Sequence, residues 1–291
     1  MRWRGRRQST NVEDRRGRRT GRRTGGRPIA LGGGLGMVAI VVVVMLLGGD
    51  PTQLLNSMAS GPARAPAPSQ QPLAPGDETG AFVKTLLADT EDVWTAIFRQ
   101  AGGTYDPPRL VLYSGYTRMP GGVANAATGP FYLPANQTIY LDTSFFSEMA
   151  NRFQAGGDFA YAYVVSHEVA HHVQKLLGLT DRVHSRRGRV SKREYNQLSV
   201  RLELQADFLA GVWAHHAQRR WQILEEGDIE EAMNAATAIG DDRLQKQSTG
   251  RVVPDAFTHG TSAQRVRWFT RGLRTGDINQ GDTFSIPYSE L

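Results

Sequence analysis

The sequence predicts an α+β domain, mainly helical with a small antiparallel sheet, preceded by one transmembrane helix. Three observations predict it. An uncharged run from Pro28 to Gly49 ends in IVVVVMLL. Short β-rich runs lie between Arg109 and Asp142. Beyond Ser144, apolar residues recur at three- and four-residue steps, the period of one helix face.

Residues 1–27 hold eleven arginines against Glu13 and Asp14, a local charge of +9 within an overall +6, leaving −3 for the rest. With little apolar content, this tail is expected to be disordered and cytoplasmic. The remainder is mildly acidic and carries no charge signature for nucleic acid. Residues 28–49, at 1.5 Å rise per residue, reach about the ~30 Å thickness of a bilayer core and are expected to form a signal-anchor helix. The arginine-rich flank then stays in the cytoplasm, and the C-terminal part is periplasmic or extracellular. Residues 50–77, with GPARAPAPSQQPLAPG, read as a Pro/Ala-rich linker. The folded domain is 78–291. The chain has no cysteine, so any zinc must take nitrogen and oxygen ligands.

Within the domain, residues 79–100 have helical spacing, with Phe82, Leu86, Val93 and Ile97 on one side. Arg109–Tyr113, Pro130–Leu133 and Gln137–Asp142 read as strands, the last two joined through Pro134-Ala-Asn136. Asp158 to Gly178 forms a helix with Asp158 as N-cap, Gly178 at its end and Ala162, Val165, Val169, Val173 and Leu176 towards the core. Residues 180–190 are a basic loop. Ser191-Lys-Arg-Glu194 is a capping box opening a second long helix. Further helices are expected over Asp228–Gln247 and from Ser262 towards Gly272.

The chemistry centres on His167-Glu168-Val169-Ala170-His171-His172, which contains H-E-x-x-H. Residues four apart on a helix lie about 40° apart around the axis, so His167 and His171 can share one metal ion. Glu168, about 100° round from His167, sits where a general base belongs. A catalytic zinc site usually has a third protein ligand. His172, His184, His215, His216, His259 and several acids are on offer. A histidine at 177 would define another class, and Leu177 stands there. Glu203, in Glu203-Leu-Gln-Ala-Asp207, is the strongest candidate. Asp207, one turn on, can accept the remaining N–H of a ligating histidine. Two carboxylates among Leu202, Leu204, Ala206, Phe208 and Leu209 need a cation.

H-E-x-x-H followed by E-x-x-A-D resembles the gluzincin metallopeptidases. More narrowly, the chain resembles the bacterial neutral zinc metallopeptidases of the YpfJ-like family. The resemblance rests on Gly129-Pro-Phe-Tyr132, Ile139-Tyr-Leu-Asp142, Ser144-Phe-Phe146, Ser166 to Gln174, Leu202 to Asp207, His259-Gly-Thr-Ser262, Gln264-Arg265 and Trp268-Phe269. It implies a zincin-like domain, Zn2+ held by His167, His171 and Glu203, Glu168 as base, and a peptide or protein substrate. The chain departs from the family at Gly121, Leu133, Phe208 and Gly281, near which members often carry cysteine.

The function so implied is that of a membrane-anchored, zinc-dependent peptidase, an endopeptidase using a zinc-activated water. His259, ahead of a helix start, is the candidate oxyanion donor, with Tyr161, Tyr163 and Tyr195 weaker ones. The strand Gln137–Leu141 is expected to pair with extended substrate. Alternatives are a catalytically inactive, zinc-containing envelope module and an amide hydrolase acting on cell-wall material. Membrane contact would run through residues 28–49.

Overall fold

The computed structural model describes residues 1–17, 76–125 and 128–291. Its strands are β1 (Val12–Asp14), β2 (Arg109–Tyr113), β3 (Tyr116–Met119), β4 (Gly122–Asn125), β5 (Phe131–Leu133) and β6 (Thr138–Asp142). Its α-helices are α1 (Glu78–Gln100), α2 (Ser144–Asn151), α3 (Asp158–Leu176), α4 (Leu179–His184), α5 (Lys192–Trp221), α6 (Asp228–Ala238), α7 (Asp241–Thr249) and α8 (Ser262–Thr275). This is a mixed fold of helices and a small sheet.

The main sheet has the order β1-β2-β6-β5. It is not antiparallel as expected: β1, β2 and β6 run parallel, and only β5 is antiparallel to its neighbour. β3 and β4 make a separate antiparallel hairpin. Period-2 alternation in β2 serves both faces. Leu110 and Leu112 enter the main core with Ile139 and Leu141, while Val111 and Tyr113 pack with Ala124 and Tyr140 under the hairpin.

The N-terminal residues overturn two expectations. The disordered-tail reading is corrected for residues 1–17, because Val12–Asp14 pairs with Leu110–Leu112 as the edge strand of the main sheet. Met1, Trp3 and Val12 are buried in the core. Trp3 stands edge-on to Phe82 with ring centroids 5.4 Å apart and donates from Nε1 to Asp158 at 2.9 Å. The preceding transmembrane helix is also corrected. Among the described residues no helix is long and apolar enough to cross a membrane, and residues 28–49 lie outside them. The flanks supply the physical reason. A single crossing would put residues 1–17 and 77–291 on opposite sides, yet β1 and β2 share one sheet and Arg16 is ion-paired with Asp77, the N-cap of α1. The expected linker, residues 50–77, and the tail beyond Gly17 lie almost wholly outside the described residues.

Helix α3 is the buried centre of the domain, packed against α5, α6 and α1. Its start is not capped by Asp158, which sits in the first turn. Instead Glu231 reaches across from α6 and accepts from the Phe159 N–H at 3.0 Å. A negative carboxylate suits the positive end of the helix. Gly157 (φ 140°) permits this approach, since a Cβ there would lie 2.1 Å from the Glu231 carboxyl carbon. Gly178, at φ 73°, ends the helical path as expected. Ser191 caps α5 by accepting from the Glu194 N–H. The single helix expected over Asp228–Gln247 is two, α6 and α7, broken at Gly240.

α5 and α8 cross at two glycines. A Cβ on Gly211 would lie 2.1 Å from the Phe269 carbonyl oxygen, and one on Gly272 would lie 2.0 Å from that of Phe208. The backbones therefore touch, which fixes α8 on α5 and decides what α8 can reach. Two of the positions where family members often carry cysteine meet here: a Cβ on Gly281 would lie 2.3 Å from the Phe208 ring. An aromatic ring over a glycine fills that space in this chain.

Candidate metal centre

His167 and His171 lie one turn apart on α3, and Glu203 faces them from α5. The two Nε2 atoms are 3.1 Å apart. Glu203 places Oε2 3.2 Å from His167 Nε2 and Oε1 3.5 Å from His171 Nε2. The three side chains form the one metal-competent cluster among the described residues.

The donor set fits a zinc ion. His167 Nδ1 donates to Asp207 at 2.8 Å, and His171 Nδ1 donates to the Gln174 carbonyl at 2.9 Å. Gln174 spends its amide hydrogens on the Leu202 carbonyl and on Gln205, which leaves its oxygen for His171. Both imidazoles then carry their proton on Nδ1 and turn the Nε2 lone pair to the same point as the Glu203 carboxylate. Three lone-pair donors converging on one point repel one another unless a positive charge lies at their focus, a metal ion or, in its absence, a proton shared between His167 Nε2 and Glu203. Their spacing matches the edge of a tetrahedron with metal–ligand bonds near 2.0–2.1 Å, about 3.3 Å.

Burial and charge set the protonation of the metal-free cluster. Burial works against a charged His167, but Asp207 and Glu203 outweigh it and hold the imidazole up to about 9. Burial likewise opposes ionised Glu203, and His171, His259 and His167 outweigh it, keeping the carboxyl well below its ordinary range. Asp207, against burial, is held down to about 2 by Arg265 and His167.

Glu168 lies beside the cluster, and burial raises it, partly offset by His171 and His167 and by a hydrogen bond from the Tyr132 backbone N–H. A carboxyl raised in this way is suited to take and return a proton. Tyr132 belongs to β5, so the sheet edge helps to hold the base. His172 explains how. Its Nδ1 accepts from the Tyr132 hydroxyl at 2.9 Å, and its Nε2 donates to the Asp106 carbonyl at 2.6 Å. The third histidine of the motif pins β5 to α3.

His259, from the turn before α8, lines the same cleft. Its Nδ1 contacts Asp241 Oδ1 at 3.2 Å and Thr258 Oγ1 at 3.0 Å. Burial would lower it, but Asp241 and Glu203 raise it to about 9. The cleft, of about 470 Å³, also contains His167, Glu168, His171 and Glu203. One wall is apolar, formed by Phe131, Phe145, Phe153, Val164 and Leu244.

The remaining sequence candidates do not join the ligand cluster. His184 lines the cleft but is outside the ligand cluster. His215 and His216 donate to the carbonyls of Leu273 and Gly276. The Tyr163 hydroxyl is committed to Asp207 at 2.5 Å, and Tyr161 donates to the Phe146 carbonyl. The strand expected to pair with substrate is interior: β6 has β2 on one side and β5 on the other, so among the described residues the edges are β1 and β5, of which β5 packs on α3. Sequence reasoning missed Arg265, Gln174 and the role of His172. H-E-x-x-H-H and Gln264-Arg265 were visible as motif residues, but their partners come from distant parts of the chain.

A buried helix bearing two histidines and a carboxylate, closed by a glutamate from a second helix, can hold one metal ion. Comparison with known proteins supplies the family. Residues 1–284 match the family model described as "Putative neutral zinc metallopeptidase", and the chain belongs to that family. The match begins at residue 1, as expected of a domain that includes its N-terminal strand. The uncharacterized protein YpfJ of Escherichia coli K12 is 49% identical over 285 residues, 98% of this chain and 99% of that protein. The uncharacterized protein Rv2575 of Mycobacterium tuberculosis H37Rv is 41% identical over 261 residues, 83% of this chain and 85% of that one. No solved structure matches the chain.

Proposed function

We propose that the protein is a zinc-dependent endopeptidase with ligands His167, His171 and Glu203. The observation that carries this is the convergence of the three donors on one point, with Glu168 beside it in an open cleft. Zinc held there would polarise the scissile carbonyl and lower the pKa of water. Glu168 takes the proton of the attacking water and returns it to the leaving amine. His259, oriented by Asp241, donates to the developing oxyanion. The free edge of β5 is suited to pair with an extended peptide, which would lay the scissile bond over α3. The apolar wall would receive a large apolar side chain.

The test is cleavage of a peptide library by the full zinc-loaded chain beside Glu168→Gln. Cleavage should fall by about 10²–10⁴-fold in the variant, with zinc retained. Equal cleavage by both proteins would contradict the assignment of the base.

A further inference from the structure

We infer that Arg265 is a positioning residue of the metal centre, acting through Asp207 to fix which nitrogen of His167 faces the metal. This rests on the metal-centre reading above and deepens it.

The geometry is closed on all sides. Arg265 donates from Nε to Asp207 Oδ2 and from Nη2 to Oδ1, both at 2.9 Å. Tyr163 donates its hydroxyl to Oδ1 at 2.5 Å, and His167 Nδ1 meets the same oxygen at 2.8 Å. Residues Tyr163 and Asp207 are fully buried and Arg265 is 2% exposed. A carboxylate surrounded by donors can offer His167 only an acceptor. The proton of His167 therefore stays on Nδ1 and the Nε2 lone pair stays on the metal side. Arg265 also has its Nη2 at 3.5 Å from His167 Nδ1, so the guanidinium edge backs the imidazole directly.

Stability alone is a poor reason for this arrangement. A buried ion pair often gives no net stabilisation over apolar residues of the same volume. The pair does something apolar residues cannot, which is to hold an acceptor in one plane behind a ligand. The fold is built to deliver it. Arg265 lies on α8, Asp207 on α5 and His167 on α3, and the glycine crossing at Gly211 and Gly272 sets the first two at contact distance.

The experiment measures zinc affinity by chelator competition, and the Nδ1 proton of His167 by downfield NMR of the zinc-loaded chain. Proteins compared are wild type, Arg265→Gln, the Asp207→Asn/Arg265→Gln double variant and Trp268→Phe, Trp268 being buried against Phe208 on the far side from the partners of Asp207. The last is a core change on the same helix, serving as a control for general loosening. Zinc binding by wild type tests the metal-centre reading itself; the variants test Arg265. Removing an outer partner of a ligating histidine typically weakens binding about 10–100-fold. Arg265→Gln should do so, with the His167 Nδ1 proton broadened by exchange, while Trp268→Phe stays within about threefold. The double variant removes both buried charges, so it remains informative if the single variant does not fold, and it should lose as much as Arg265→Gln. Wild-type affinity and an unchanged Nδ1 proton in either Arg265 variant would overturn the inference. Equal weakening in Trp268→Phe would overturn it too, since the effect would then be general loosening.

Discussion

The metal centre and the N-terminal seam are both rich in buried charge, and they differ in how one buried Arg–Asp pair is made. In the metal centre Asp207 gathers Arg265, Tyr163 and His167, each in hydrogen-bond geometry. In the seam, the Arg6 guanidinium lies 2.7 Å from Asp89 Oδ2 but out of hydrogen-bond alignment. Burial raises Asp89 to about 7 despite Arg6, and it lowers Arg6. The rest of the seam is held by packing, Trp3 against Phe82 and Arg6 over the Trp221 ring, by the pairing of β1, and by aligned polar contacts of its neighbours, Met1 to Asp228 and Arg7 to Glu91 and Asp92. A misaligned buried pair is tolerated where many other contacts dock the segment, and an aligned one is kept where a ligand must be oriented.

His259→Gln should show the largest effect and sharpen the first half of that contrast. Loss of an oxyanion donor typically costs about 10²–10³-fold in kcat, so turnover should drop with zinc retained. An unchanged kcat would remove His259 from the mechanism. Gly272→Ala should then disturb the centre through packing alone. Its Cβ would meet the Phe208 carbonyl at 2.0 Å, and forcing the helices apart should cost about 3 kcal/mol or more in a denaturant titration. Because α8 carries Arg265, the same variant should also bind zinc more weakly.

Trp3→Ala probes the seam. Removal of a buried aromatic costs about 3 kcal/mol, and this loss should appear with zinc affinity unchanged. A disordered tail would give no loss, so an unaltered melting curve would break the account of the N-terminus. The last test reads a slope, the pH response of Asp89. Its folded pKa is raised, so the folded state holds a proton that the unfolded chain has released. The contribution is fully present below about pH 4 and lost as pH rises to about 7, by at most about 4 kcal/mol. In Asp89→Asn the fall in stability between pH 4.5 and 7.5 should be shallower than in wild type. An equal slope would assign the pH response to other groups.

The same contrast explains what was legible in the sequence. His167, Glu168 and His171 were legible because a helix converts spacing into direction. Glu203 and Asp207 followed because two acids in an apolar stretch demand a cation. The N-terminal strand was not legible: eleven arginines set the composition, and Met1, Trp3 and Val12 are too few to show a period. The parallel sheet was missed partly for the same reason, since β1 lies in that segment, and partly because β2 and β6 pair in parallel only after the β3–β4 hairpin and β5 intervene, a connection no local pattern encodes. Arg265, His172 and Gln174 act through partners brought in by tertiary contact, which no local pattern encodes. The substrate-pairing strand, Gln137–Leu141, rested on analogy with gluzincins alone, and a strand's place in a sheet is set by tertiary pairing: β6 is central and the shorter β5 is at the edge.

The most direct test of the central claim is equilibrium zinc binding by wild type, His171→Ala and Glu203→Gln, with folding checked in each. The account predicts one zinc per wild-type chain and a loss in both variants beyond the ~100-fold typical of outer partners. Zinc bound by Glu203→Gln as tightly as by wild type would contradict it, because the two histidines would then be served by some other third ligand.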